Sequence, residues 1–171
     1  MTRWVALLRA VNVGGTGKLS MADLKALCEA AGFTDVRTYI ASGNVVFGSP
    51  RSERQVQDDL GARLTAHTGK AAGLLVRSAS EMAAVVADDP FPDAPRNRVI
   101  VLFLDEPPTA ADLDVVIGQA DERLALGRRE IYAQYPSGMG ESKLKIPAAR
   151  SGTGRNMNTV AKLAEMAAAE S

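Results

Sequence analysis

Histidine and cysteine, the residues behind much metal and nucleophile chemistry, occur once each in this sequence, as His67 and Cys28. A lone cysteine closes no intramolecular disulfide, and Cys28 falls among apolar residues at helical spacing, so it reads as a buried thiol in a reducing compartment. His67 follows a helical stretch beside Gly69, with no cysteine, serine or second histidine at a spacing that builds a metal site or a nucleophile pair. No catalytic residue, metal ligand or cofactor is therefore assigned, and whether the chain is an enzyme stays open. Aromatic residues make up only 5% of the chain. Trp4, Phe33, Phe47 and Phe103 sit inside apolar runs and read as core rather than as stacking platforms. Long apolar runs are also missing. "WVALL" is too short for a signal-peptide core and nothing approaches a membrane span, so the expected location is the cytoplasm, with no membrane partner.

An excess of either charge is absent as well: twenty basic and twenty acidic residues cancel, which removes any general attraction to nucleic acid or membranes. The distribution is uneven. Residues 78–127 carry three basic and ten acidic groups, a local charge of −7, whereas 128–171 carry seven basic and four acidic. The acidic trio Asp88, Asp89 and Asp93 lies in a Pro-rich stretch without calcium-loop spacing and reads as a solvated linker.

What is present is a regular alternation of strand and helix signals. "RWVALLRAV" is a buried first strand. Ser20, three residues before Asp23, opens a helix whose Leu24, Leu27, Cys28 and Ala31 share a face. "DVRTYIASGNVVF" is a hairpin around Ser42-Gly43-Asn44, residues 52–66 are a helix with Val56, Leu60 and Leu64 inward, and "AAGLLVRS" is a strand. The order β-α-β-β-α-β is that of a ferredoxin-like α/β plait with an antiparallel sheet. A second pass follows: a Ser78/Glu81 capping pattern, the strand "RVIVLFL", the helix "TAADLDVVIG", a hairpin bent around Gly127, and a last helix with Val160, Leu163, Ala164 and Ala167 on one face. The expectation is an α+β protein of two such halves, residues 1–78 and 79–171, packed as one compact unit.

"NVGGTGKLS" poses a sharper question, because a phosphate-binding loop needs G-x-x-x-x-G-K-[ST]. Aligned on Gly17-Lys18, Asn12 replaces the first glycine and Leu19 replaces the hydroxyl. Asp105-Glu106 after "VIVLFL" imitates the acidic strand of a nucleotide hydrolase, but Pro107-Pro108 explains it as a strand exit. Hairpin signals also imply antiparallel pairing, whereas a hydrolase of that class needs a parallel sheet.

Four stretches, "LLRAVNVGGTGKLSMADLKAL", "GFTDVRTYIASGNVVF", "IYAQYPSGMGESKL" and "GRNMNTVAKLAEMA", together resemble the domain of unknown function 1697 family. The matched positions are Arg9, Asn12, Gly14 and Gly15; Thr38, Tyr39, Ser42, Gly43, Asn44 and Phe47; Gly138, Ser142 and Lys143; and Arg155, Asn156, Asn158 and Thr159. Ala10 and Met157 depart from the pattern, the latter standing where an aromatic is usual. The resemblance implies two ferredoxin-like substructures and no established activity.

The recurring types are amides, hydroxyls and cations on glycine-bearing turns and at a helix start, where unpaired N–H groups and an arginine fork suit an anion. The candidate binding set is Arg9, Asn12, Gly14, Gly15, Lys18, Ser42, Asn44, Lys143, Arg155, Asn156 and Asn158. Its ligand would be a phosphate-bearing small molecule, such as a nucleotide, or nucleic acid. The same residue types also cap helices and hold turns, so structural stitching is an equal reading. Two alternatives from other classes are a structural or protein-interaction module, whose −7 segment meets a basic partner, and a phosphate-handling hydrolase or transferase.

Overall fold

A computed structural model describes residues 1–9, 19–39, 43–69 and 73–168. The chain divides into two units, residues 1–83 with 163–171, and residues 84–162.

The first unit contains β1 (Thr2–Leu8), α1 (Met21–Ala30), β2 (Thr34–Tyr39), β3 (Asn44–Ser49), α2 (Glu53–Thr68) and β4 (Leu74–Ser78). Its sheet runs β2-β3-β1-β4, and each neighbouring pair is antiparallel. The alternation of the strands decides which side chains meet the helices. Trp4, Ala6 and Leu8 of β1 lie level with Phe47, Val45, Val76 and Leu74, and all belong to one buried cluster. α1 adds Leu24 and Cys28 to that cluster, and α2 adds Val56, Leu60 and Leu64. These are the positions expected from helical periodicity. Phe33 stacks on Phe47 with ring centroids 4.2 Å apart. Both helices start with a capping box: Ser20 Oγ accepts from the Asp23 N–H at 3.0 Å, and Ser52 Oγ accepts from the Gln55 N–H at 3.2 Å. Burial pushes the Cys28 thiol up to about 12, which makes it an inert core atom.

After α3 (Ala79–Ala87), the second unit continues with β5 (Val99–Phe103), α4 (Ala110–Asp114), β6 (Arg123–Leu126), β7 (Glu130–Gln134), β8 (Thr153–Asn156) and α5 (Met157–Ala168). The unit division falls inside α3 and again inside α5. The sheet order β6-β7-β5-β8 repeats the first topology strand for strand, again all antiparallel. Two ferredoxin-like α+β halves result. They are not equal, because α4 has five residues and a short 3-10 turn at Pro147–Ser151 stands where α2 stands in the first half. The core on that side is correspondingly small: Leu102, Leu104 and Ile131, with half-buried Leu113, Ile146 and Ala148.

β8 is the one strand that the sequence pattern does not announce. "TGRN" has no apolar run, and Arg155 was expected at a helix start rather than within a strand. Backbone space explains its path. A Cβ at Gly152 would lie 2.4 Å from the Phe103 carbonyl oxygen, so glycine there lets the chain close against β5. The strand then feeds α5, whose Val160, Leu163, Ala164 and Ala167 are buried as expected.

β4 and β8 end alike. Ser78 Oγ accepts from the Glu81 N–H at 3.2 Å to open α3, and Asn156 Oδ1 accepts from the Thr159 N–H at 2.9 Å to open α5. Ser78→Ala and Asn156→Ala should each lower unfolding free energy by about 1 kcal/mol, the usual loss for an N-cap. Asn158→Ala, at an exposed site, should change it by less than about 0.5 kcal/mol in the same denaturant titration.

Candidate functional site

Asn12, Gly14, Gly15, Lys18 and Ser42 lie outside the described residues. Arg9 and Gly43, which flank the segments carrying them, are described. At the end of β1 the Leu8 N–H donates to the Gly43 carbonyl at 2.9 Å, and the Arg9 N–H donates to the Gly73 carbonyl at 2.9 Å. The end of β1 is thereby tied to Gly43, just before β3, and to Gly73, just before β4, at one end of the first sheet. Gly43 holds φ +79°, a conformation that suits glycine. Arg9 is half-buried, and a Cβ at Gly73 would stand 3.2 Å from both its Cδ and its Nη1, so the arginine lies against glycine backbone.

Asn44 sits beside this end and is fully buried, level with Leu7. Its Nδ2 donates to the Tyr39 carbonyl at 3.1 Å, across the hairpin that it closes. Asn156 is likewise engaged as the cap of α5. Both amides are thus hydrogen-bonded to backbone of their own elements.

Arg155 occupies β8 level with Val101 and is 8% exposed. Its Nη1 donates to Thr153 Oγ1 at 2.6 Å and to the Gly154 carbonyl at 2.9 Å. Burial draws its guanidinium down to about 10, still charged at neutral pH. The corresponding residue of the first sheet is Arg77, level with Val5, fully buried, its Nη1 on the preceding Val76 carbonyl at 3.1 Å. Arg77 carries no motif of its own in the sequence. The signal was the parallel between "VRS" and "GRN", each an arginine and a capping side chain just before a helix.

Asn158 is exposed in the first turn of α5. Lys143 is exposed on a separate loop, at the rim of a hollow of about 380 Å³ that Gly118, Asp121, Glu122, Gly138 and Ser142 also line. Gly118 holds φ +75°, and a Cβ there would lie 2.2 Å from the Lys143 carbonyl oxygen, so the two loops approach at van der Waals limits. Glu122 is buried, with its carboxylate accepting from Ser142 Oγ at 2.6 Å and from the Ala120 N–H at 2.6 Å. Glu122 was not among the expected site residues; only its setting in an acidic segment hinted at it.

Among the described residues, no group of three His, Cys, Asp or Glu side chains is placed to hold a metal ion. His67 lies in the last turn of α2, 3.6 Å from the Asp23 carboxylate, an exposed pair. No described helix is long and apolar enough to cross a membrane. Asp105 and Glu106 are exposed past the end of β5, in a sheet with no parallel neighbours.

The Ser142 hydroxyl and the Ala120 N–H hold the Glu122 carboxyl below its ordinary value of 4.5. A depressed acid stabilises the folded form fully above that ordinary value and loses the contribution as pH falls through the folded value. Glu122→Gln should therefore lower Tm at neutral pH and flatten its fall below about pH 4.5; unchanged melting curves across that range would contradict the assignment.

A family model for proteins of unknown function, DUF1697, matches residues 1–132. Among solved structures, the conserved bacterial protein SP0830 from Streptococcus pneumoniae is similar, with 28% identity, a TM-score of 0.81, and coverage of 97% of this chain and 98% of that one. No curated protein matches. With more than half of its length under the family model and the expected two-plait fold, this chain belongs to the DUF1697 family.

Proposed function

We propose that the chain binds a phosphate-bearing anion, a nucleotide or a nucleic-acid phosphate, at the end of the first sheet where β1 terminates. One observation supports this reading: the backbone bonds from Leu8 to Gly43 and from Arg9 to Gly73 hold Arg9 and Gly43 at one end of the sheet, and in sequence these two residues flank the segments that bear Asn12, Gly14, Gly15, Lys18 and Ser42. Glycine-rich backbone offers N–H groups to an anion without side chains in the way, and Arg9 and Lys18 supply the charge. The planar guanidinium of arginine has the shape to pair with two phosphate oxygens.

The remaining candidates divide by their contacts. Asn44 and Asn156 serve backbone groups of their own elements, which supports stitching for those two. Arg155 is enclosed in β8 and acts with them. Ligand binding is accordingly assigned to the β1 end alone, and Lys143 and Asn158 stand apart from it.

A thermal-shift series with ATP, a sugar phosphate and a short oligoribonucleotide tests the reading. A ligand at a hundred times its Kd raises stability by about 2.7 kcal/mol. At least one probe should shift Tm, and Arg9→Ala and Lys18→Ala should each weaken its binding about tenfold or more. Asn156→Ala should lower Tm yet leave Kd unchanged. If no probe binds at millimolar concentration, or if both cation variants bind like the parent, the anion reading fails and stitching stands. Release of phosphate from ATP and Mg²⁺ that Lys18→Ala abolishes would turn the binding protein into a hydrolase.

A further inference from the structure

Between Asp105 and Glu122 the chain carries six acidic residues and no lysine or arginine. This stretch contains α4 and runs on to β6. It also displays large aliphatic side chains to solvent: Val115 is 53% exposed and Ile117 63%. Met139, from the loop after β7, is 47% exposed.

Ile117 is not on a slack loop. Its N–H donates to the Lys145 carbonyl at 3.0 Å and its carbonyl accepts from the Lys145 N–H at 2.8 Å, an isolated antiparallel bridge. The next residue is Gly118, pressed against the Lys143 carbonyl. Gly118 opens the hollow of about 380 Å³, whose floor and rim include Asp121, Glu122, Glu141, Ser142 and Lys143. Three carboxylates against one ammonium leave this lining net negative. Its charge is also fixed in place: Ser142 and Ala120 hold Glu122, and Ser137 Oγ donates to Asp121.

An exposed branched aliphatic on a bridged backbone, beside an acidic hollow, has the composition of a protein interface, an apolar anchor next to a pocket for one charged side chain. We propose that this surface docks a segment of another protein that carries arginine or lysine beside apolar residues. The cation enters the hollow between Glu122, Asp121 and Glu141, and the neighbouring apolar side chain covers Ile117. Charge complementarity selects this occupant, because the run of carboxylates repels nucleic acid and acidic peptides while attracting a basic one. The inference is independent of the anion site on the first sheet.

Fluorescence anisotropy with three labelled peptides tests it: repeats of Arg-Leu-Ser, of Glu-Leu-Ser and of Arg-Ser-Ser. The parent protein should bind the first about tenfold or more tightly than either other, and binding should weaken steeply with salt. Ile117→Ser and the double variant Asp121→Asn/Glu141→Gln, each checked for an unchanged melting curve, should each weaken binding about tenfold. Glu29→Gln/Asp58→Asn, at exposed acidic positions of the first unit, should bind like the parent. No binding of Arg-Leu-Ser at millimolar protein, or equal binding by the parent and both surface variants, overturns the proposal. So does self-association in sedimentation that Ile117→Ser abolishes without peptide binding, since that assigns the surface to a second copy.

Discussion

The register of β1 between β3 and β4 is the constraint on which the rest of the first half depends. Side chains along a strand alternate faces, so a slip of one residue would exchange Trp4, Ala6 and Leu8 for Val5 and Leu7 on the helix side. Both sets are buried, yet only the first faces the cluster that α1 and α2 complete. The same register brings Leu8 to Gly43 and Arg9 to Gly73. Core packing and the geometry of the candidate anion site therefore have one cause.

The second half reuses that solution with less material. β5 occupies the place of β1, and its Val101 stands level with Arg155 as Val5 stands level with Arg77. An arginine enclosed within a strand is costly, because desolvation opposes its charge, and the lowered Arg155 value expresses that cost. Such an arginine stands at the same place in both sheets, immediately before the residue that caps the next helix. α2 has no full counterpart in the second half, where loop residues Ile146 and Ala148 pack instead. The loops before β6 and after β7 line the Glu122 hollow, and Ile117 is exposed beside it.

Where the sequence carried period and caps, the fold was legible. Val56, Leu60 and Leu64 marked α2, and the Ser20/Asp23 and Ser78/Glu81 pairs marked two helix starts that the hydrogen bonds bear out. β8 was not legible, since its pairing arises from backbone space at Gly152 and from ladder bonds to β5, neither of which leaves an apolar pattern. The site divided in the same way. Asn44 and Asn156 are chemically suited to both turn and ligand, and their partners, the Tyr39 carbonyl and the Thr159 N–H, are not readable from sequence. Glu122 gave no motif because its side-chain partner, Ser142, lies twenty residues further on in another loop. Family membership accounted for the overall pattern and left the chemistry to the residues.

The central claim is that the end of β1 is where this chain meets an anion. ATP and a short oligoribonucleotide titrated into ¹⁵N-labelled protein, followed by amide chemical shifts, address it directly. The account predicts that the Arg9, Gly43 and Gly73 amides move together and saturate with one binding constant. Movement confined to amides of the second unit, or none at millimolar ligand, would contradict it.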